Sequence, residues 1–246
     1  MKTFSLYTHY KKILADTLTP VSIYLKIRDK FPNSILLESS DYHANDNSFS
    51  YICCNPIASI KVINNKIIQT FPDGTVFKNN INKNTQVPQV IHKFSKRFKV
   101  QTEENFKFIN NGIFGYLAYD AVRYFEDIEI TKKEGHLCIP DIYYAVYQNI
   151  IAIDHFKNEA YIFAHCFNAK NKIDDILQLI KSKNFAAFAF STQGETTSNL
   201  TDNEYKQLVN LAKKHCARGD VFQLVLSKKF SQAFKGDEFN VYRALR

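Results

Sequence analysis

The stretch that decides the fold is Ile142–Phe167, IYYAVYQNIIAIDHFKNEAYIFAHCF. Two runs rich in Ile, Val, Tyr and Phe flank Lys157-Asn158, a turn pair in which asparagine tolerates the left-handed backbone region. They predict the two strands of a long hairpin, with more antiparallel structure than any parallel-sheet nucleotide fold allows. Upstream the same pattern recurs in FSYICC (49–54), ASIKVIN (58–64), KIIQTF (66–71) and GTVFKN (74–79). Asn64-Asn65 and Asp73-Gly74 are the turn signals between the later runs, so an antiparallel meander is expected. GIFGYLAYDAVRYFE (112–126) reads as an aromatic strand whose Gly112 and Gly115 allow close packing of sheets.

Helices separate these runs. Thr19 is an N-cap candidate before Pro20 at the first helical position, and Ile23, Ile27 and Phe31 form one stripe, predicting a helix over 20–30. A second helix is expected over 90–98, where HKFSKRFK would place Phe94 and Phe98 on one face and the cations on the others. Thr201 and Glu204 make a capping box for a helix that Gly219 ends. VFQLVLSKKF (221–230) then reads as a strand and DEFNVYRALR as the start of another helix, cut at Arg246 without a C-cap. The fold class is α+β, antiparallel sheets packed with helices. The expected organisation is a domain over 1–190, a linker over 191–199 (STQGETTSN) and the beginning of a second domain over 200–246. The chain reads as a fragment of a longer protein.

Composition limits the function. The formal charge of +8 comes mostly from lysines spread along 246 residues, which reads as solvated surface, so neither nucleic acid nor membrane is an expected partner. No apolar run reaches the roughly 18 to 20 residues of a spanning helix, and no secretory signal opens the chain, which places the protein in the cytoplasm. Five cysteines, including the pair Cys53 and Cys54, are expected to be reduced and mostly buried. The pairs His136/Cys138, His165/Cys166 and His215/Cys216 do not have the spacing of a metal site. Asp120, Arg123 and Glu126 at intervals of three suggest a structural ion pair on a short helix.

ILLESSD (35–41) changes abruptly from apolar to polar, as either an ordinary strand end or the lip of a binding site would. With TPVSIYLKIRD before it, and GIFGYLAYDAVRYFE and ARGDVFQLVLSKKF after it, this order of segments resembles the N-terminal half of anthranilate synthase component I, a chorismate-utilising enzyme family. The resemblance implies an enzyme that converts chorismate and ammonia into anthranilate and pyruvate in tryptophan biosynthesis. It also implies magnesium as cofactor, a glutamine amidotransferase subunit as partner, and feedback inhibition by L-tryptophan. On the same resemblance Leu37, Glu38, Ser39 and Ser50 surround the tryptophan, with the carboxylate of Glu38 suited to its ammonium. Ser48 and Phe49 stand where the family carries a basic residue. Gln223 is the active-site relative. Water-using members carry a lysine there, and a neutral amide cannot act as a base, which suits an ammonia-using enzyme. Catalytic groups and magnesium ligands are implied to lie beyond Arg246. Alternatives are aminodeoxychorismate synthase component I and a stand-alone amino-acid-binding module.

Overall fold

The computed structural model describes residues 2–38, 48–128, 130, 139–168 and 170–246. They form two compact units, Met1–Ala186 and Ala187–Arg246. The first contains β1 (Phe4–Leu14), α1 (Pro20–Ile27), β2 (Ile35–Leu37), β3 (Phe49–Ile63), β4 (Lys66–Thr70) and β5 (Val76–Asn80). It continues with α2 (Val87–Ser95), β6 (Phe98–Gln101), β7 (Phe114–Leu117), a 3-10 helix (Tyr119–Tyr124), β8 (Ile142–Asp154), β9 (Glu159–Cys166) and α3 (Ile173–Lys181). The second has β10 (Phe190–Ser198), α4 (Asp202–Ala217), β11 (Phe230–Gly236) and α5 (Phe239–Leu245). The α+β class expected from the sequence is the class observed.

The first unit is built on one nine-stranded sheet in the order β5-β4-β3-β8-β9-β1-β6, with β2 added to β3 and β7 to β8. The hairpin of β8 and β9 turns at Asn158, whose φ is 54°, and the meander turns at Asn64, Asn65 and Gly74 all have positive φ. FSYICC and ASIKVIN, which read as two strands, are one: β3 runs through both, with a register shift at Pro56/Ala58 after the left-handed Asn55. A bulge of this kind bends a strand without ending its pairing.

The start of α1 follows its cap. Thr19 Oγ1 accepts from the Ser22 amide and Ser22 Oγ accepts from the Thr19 amide, each at 3.1 Å. α1 ends at Ile27, shorter than expected, because Lys30 and Phe31 both turn back onto the Ile27 carbonyl. α2 begins earlier and stops at Ser95, so Phe98 lies on β6, parallel to β1, and not on the helix. Its ring still meets Phe94 edge to face at 5.2 Å, because both are drawn into the cluster around Phe4 and Phe71.

Both faces of the central strands are buried. Ile52, Ile151 and Ile153 pack under α1 and α3 with Ile23, Ile176 and Ile180, while Cys53, Ile150, Ala152 and Phe163 face the opposite layer with Tyr147. That double burial accounts for the unbroken apolar run in IIAI, each isoleucine side chain contributing about 2 kcal/mol through removal from water.

In the second unit Thr201 and Glu204 form the anticipated capping box at the head of α4, and Gly219 follows its end with φ 78°. Two readings are corrected. Residues 191–198 are not an irregular linker but part of β10, antiparallel to β11, since Thr192, Thr196 and Thr197 favour an extended backbone once a partner exists. Residues 221–229 carry strand composition but form no strand; β11 starts at Phe230. A strand forms only with a hydrogen-bonded neighbour, and β10 pairs with the segment that follows.

The two glycines of the aromatic run differ. Gly112 has φ 136° and open space around it, so it serves conformation; Gly115 lies against Tyr143, where an added Cβ would overlap the Tyr143 carbonyl. Gly115→Ala should therefore lower stability by more than about 2 kcal/mol in urea unfolding, and a loss within the ~1 kcal/mol of an ordinary glycine substitution would refute the close approach.

His165 is 1% exposed, its Nδ1 2.8 Å from Thr8 Oγ1 and its Nε2 2.8 Å from the Asn110 carbonyl. Burial pushes its pKa down, against the opposing effect of the Asn110 carbonyl. The folded state then binds this proton less readily than the unfolded chain. Its contribution is whole above the unfolded value near 6.5 and diminishes as pH falls through it. The urea midpoint should decline between pH 7 and pH 5 more steeply in the wild type than in His165→Gln; parallel declines would exclude His165 as the cause.

Candidate functional site

The antiparallel register of β2 on β3 pairs Ile35 with Cys53, Leu36 with Ile52 and Leu37 with Tyr51. Directly opposed residues share a face and neighbours along a strand alternate. Ser50 thus lies on the face of Leu36 and Ile52, over the cluster beneath α1 and α3, while Leu37 lies on the other face with Tyr51. Leu37 is 39% exposed and Ser50 is fully buried. Ser39, also assigned to this site, lies outside the described residues.

Ser50 Oγ is 2.7 Å from His155 Nε2. The His155 amide donates to the Ser48 carbonyl at 3.1 Å, which holds the histidine at the end of β8 across from Ser48. Ser48, Ser50 and His155 form a polar margin at the end of an otherwise apolar sheet face. The sequence reading missed His155, because 105 residues separate it from Ser50 and no local spacing links them.

On the Leu37 face a groove of about 600 Å³ is lined by Tyr24, Leu37, Lys61, Tyr116 and Tyr143, among others. Three strands build one wall: Lys61 pairs with Tyr143 across β3 and β8, and Tyr116 pairs with Tyr143 across β7 and β8. Nearby, the carboxylate that meets Arg123 is Asp141, at 2.6 Å, and Tyr124 donates to the same oxygen at 2.8 Å. The ion pair anticipated with Asp120 or Glu126 is replaced by this one, because the segment is a 3-10 helix and does not have α-helical side-chain spacing.

In the second unit Gln223 is exposed in the irregular stretch between α4 and β11, not on a strand. Among the described residues, no group of three or more His, Cys, Asp or Glu side chains is arranged to hold a metal ion. No helix among them is long and apolar enough to cross a membrane.

Residues 33–246 match the family model described as chorismate binding enzyme. The chain is 30% identical over 250 residues to "Anthranilate synthase component 1" of Lactococcus lactis, a match covering 96% of this chain and 51% of that protein. It is 29% identical to the protein of that name from Aquifex aeolicus, over 96% and 50% of the two chains. To "Aminodeoxychorismate synthase component 1" of Bacillus subtilis it is 25% identical, over 90% and 47%. The chain spans about half the length of the curated relatives it matches. Among solved structures it is similar to anthranilate synthase component I from Streptococcus pneumoniae TIGR4, with a TM-score of 0.59 and 22% identity, over 96% of this chain and 52% of that one. This last likeness concerns the fold alone.

The thiols beneath the site are inert by burial. Desolvation pushes the Cys54 thiol up to about 12 and raises Cys53 as well, and neither is exposed, whereas Cys216 is. Iodoacetamide at pH 8 should modify Cys216 while Cys53 and Cys54 react only after denaturation. Equal rates in the native protein, read by peptide mass mapping, would contradict this burial.

Proposed function

The chain belongs to the chorismate-binding enzyme family, and on that premise we propose that it is the N-terminal part of an anthranilate synthase large subunit. The observation that carries the reading is collinear identity to anthranilate synthase component 1 over 96% of the chain, at 30% and 29% in two distant bacteria. The whole enzyme would release anthranilate and pyruvate from chorismate and ammonia, a lyase reaction of tryptophan biosynthesis, in the cytoplasm. A glutamine amidotransferase subunit would supply the ammonia.

The part described here would serve regulation more than chemistry. Glu38 would accept from the ammonium of L-tryptophan, Ser50 and Ser39 would meet its polar groups, and Leu37 would offer apolar surface near the indole. Gln223 would lie toward the reacting centre as a neutral amide, unable to take a proton from water and so consistent with ammonia as nucleophile. The proposed magnesium would polarise chorismate in the whole enzyme. Among the described residues no group of three or more His, Cys, Asp or Glu side chains is arranged to hold it.

A second reading, aminodeoxychorismate synthase component I, is favoured by the Bacillus subtilis relative at 25% identity. The product distinguishes them. The full-length gene product, given chorismate, magnesium and ammonium, should form fluorescent anthranilate; an amino-substituted chorismate that a partner lyase converts to the para isomer would establish the second reading. Glutamine should replace ammonium only when the amidotransferase subunit is added. Ser39→Ala should raise the tryptophan concentration for half inhibition about tenfold, the ~1.4 kcal/mol of one lost hydrogen bond, with kcat little changed. Unaltered inhibition would remove Ser39 from the site.

A further inference from the structure

β9 and β8 separate β1 from β3 in the sheet, and the outer edge of β1 is only partly covered. β6 runs parallel to it over four positions, from Phe4 opposite Phe98 to Tyr7 opposite Gln101, and then leaves. The departure is local. Thr102 Oγ1 donates to the Glu104 carbonyl at 3.0 Å and accepts from its amide at 3.3 Å, and Phe106 then packs edge to face on Tyr10 at 5.0 Å. Residues 8–14 continue β1 with β9 on one side and, among the described residues, no strand on the other.

The hydrogen bonds fix which backbone groups face outward. Phe4 donates to the Arg97 carbonyl on the β6 side, whereas Ala15 donates to the Asn158 carbonyl on the β9 side. Backbone groups alternate between the two edges of a strand, so His9, Lys11 and Ile13 bond to β9 while Tyr10, Lys12 and Leu14 turn their N–H and C=O outward. Among the described residues no other backbone group meets those three. Exposed edges are ordinarily guarded by prolines, bulges or lysines. Residues 8–14 contain no proline, their pairing with β9 has no register shift, and both lysines are drawn aside, Lys11 to Asp174 at 3.5 Å and Lys12 to Glu159 at 2.6 Å.

The edge also lies in a cleft of about 620 Å³, walled by residues 101–104 and by Asn171 and Asp174. Its charge runs against that of the chain. The lining has three carboxylates, Glu103, Glu104 and Asp174, and one lysine, Lys11, in a chain of formal charge +8. We propose that residues 8–14 dock an extended, lysine- or arginine-bearing segment of a partner protein as an added strand. Tyr10, Lys12 and Leu14 supply the backbone pairing, and Glu103 and Glu104 select positive side chains. A second copy of the same edge is disfavoured, because antiparallel self-pairing would bring the lysines of both copies together.

The test uses the full-length protein and three acetylated, amidated peptides: KTKVKTK, whose lysines share one face of a strand, its acidic counterpart ETEVETE, and KTKPKTK, which lacks the central amide donor. In titration calorimetry at low salt, KTKVKTK should bind at least about tenfold more tightly than either of the others. Glu103→Gln/Glu104→Gln should remove most of its advantage over ETEVETE. Residue-resolved hydrogen exchange in the free protein should be faster at the amides of Tyr10, Lys12 and Leu14 than at those of His9, Lys11 and Ile13, and KTKVKTK should slow it. Equal affinity for KTKVKTK and ETEVETE, undiminished binding of KTKPKTK, or no binding of any peptide would overturn the proposal. Slow exchange at Tyr10, Lys12 and Leu14 in the free protein would overturn it as well, giving the edge to the protein's own chain, or to a second copy if sedimentation shows a dimer.

Discussion

The pairing of β3 with β8 is the constraint on which the first unit depends. It runs from Phe49 opposite Asp154 to Val62 opposite Ile142, interrupted only by the shift at Pro56/Ala58. Because side chains alternate across this pair, it fills two hydrophobic layers at once, Ile52, Ile151 and Ile153 on one face and Cys53, Ile150 and Ala152 on the other. A slip of one residue would exchange the layers, so burial on both faces holds the register strongly.

The polar margin inherits its geometry from that register. Where the pair ends, apolar alternation stops, and the positions continuing the face of Ile52 are Ser50, Ser48 and the facing end of β8. His155 therefore meets Ser50 because β8 extends to the same level as β3, while β2 is held on the far edge of β3. A shift that moved β8 would move His155 relative to both. Tight elements nearby, such as Gly115 against Tyr143 and Arg123 against Asp141, hold the other end of the same strands in place.

Legibility in the sequence followed the range of the interaction. The turns at Asn64-Asn65, Gly74 and Asn158 and the capping boxes at Thr19 and Thr201 were readable because each is made within a few residues. Their chemistry needs no knowledge of the rest of the chain. β10 and the irregular stretch 221–229 were misread because strand status belongs to a pair. Polar, threonine-containing residues became a strand beside β11, and the Val- and Leu-rich stretch did not become one. The α2 boundary shifted for a related reason: Phe98 gains a parallel neighbour in Phe4 that helical spacing could not disclose. Of the candidate site, Leu37, Glu38, Ser39 and Ser50 were nominated by resemblance alone, and composition alone would have left ILLESSD an ordinary strand end.

The sequence by itself determined the antiparallel α+β class, the hairpin turns and the helix starts after Thr19 and Thr201. All of these follow from backbone preferences and alternation over short spans. Only the tertiary structure decided that Leu37 and Ser50 lie on opposite faces, that Asp141 is the partner of Arg123, and that His155 holds Ser50. Strand register alone links residues so far apart in the chain, and register is settled when whole faces are buried together.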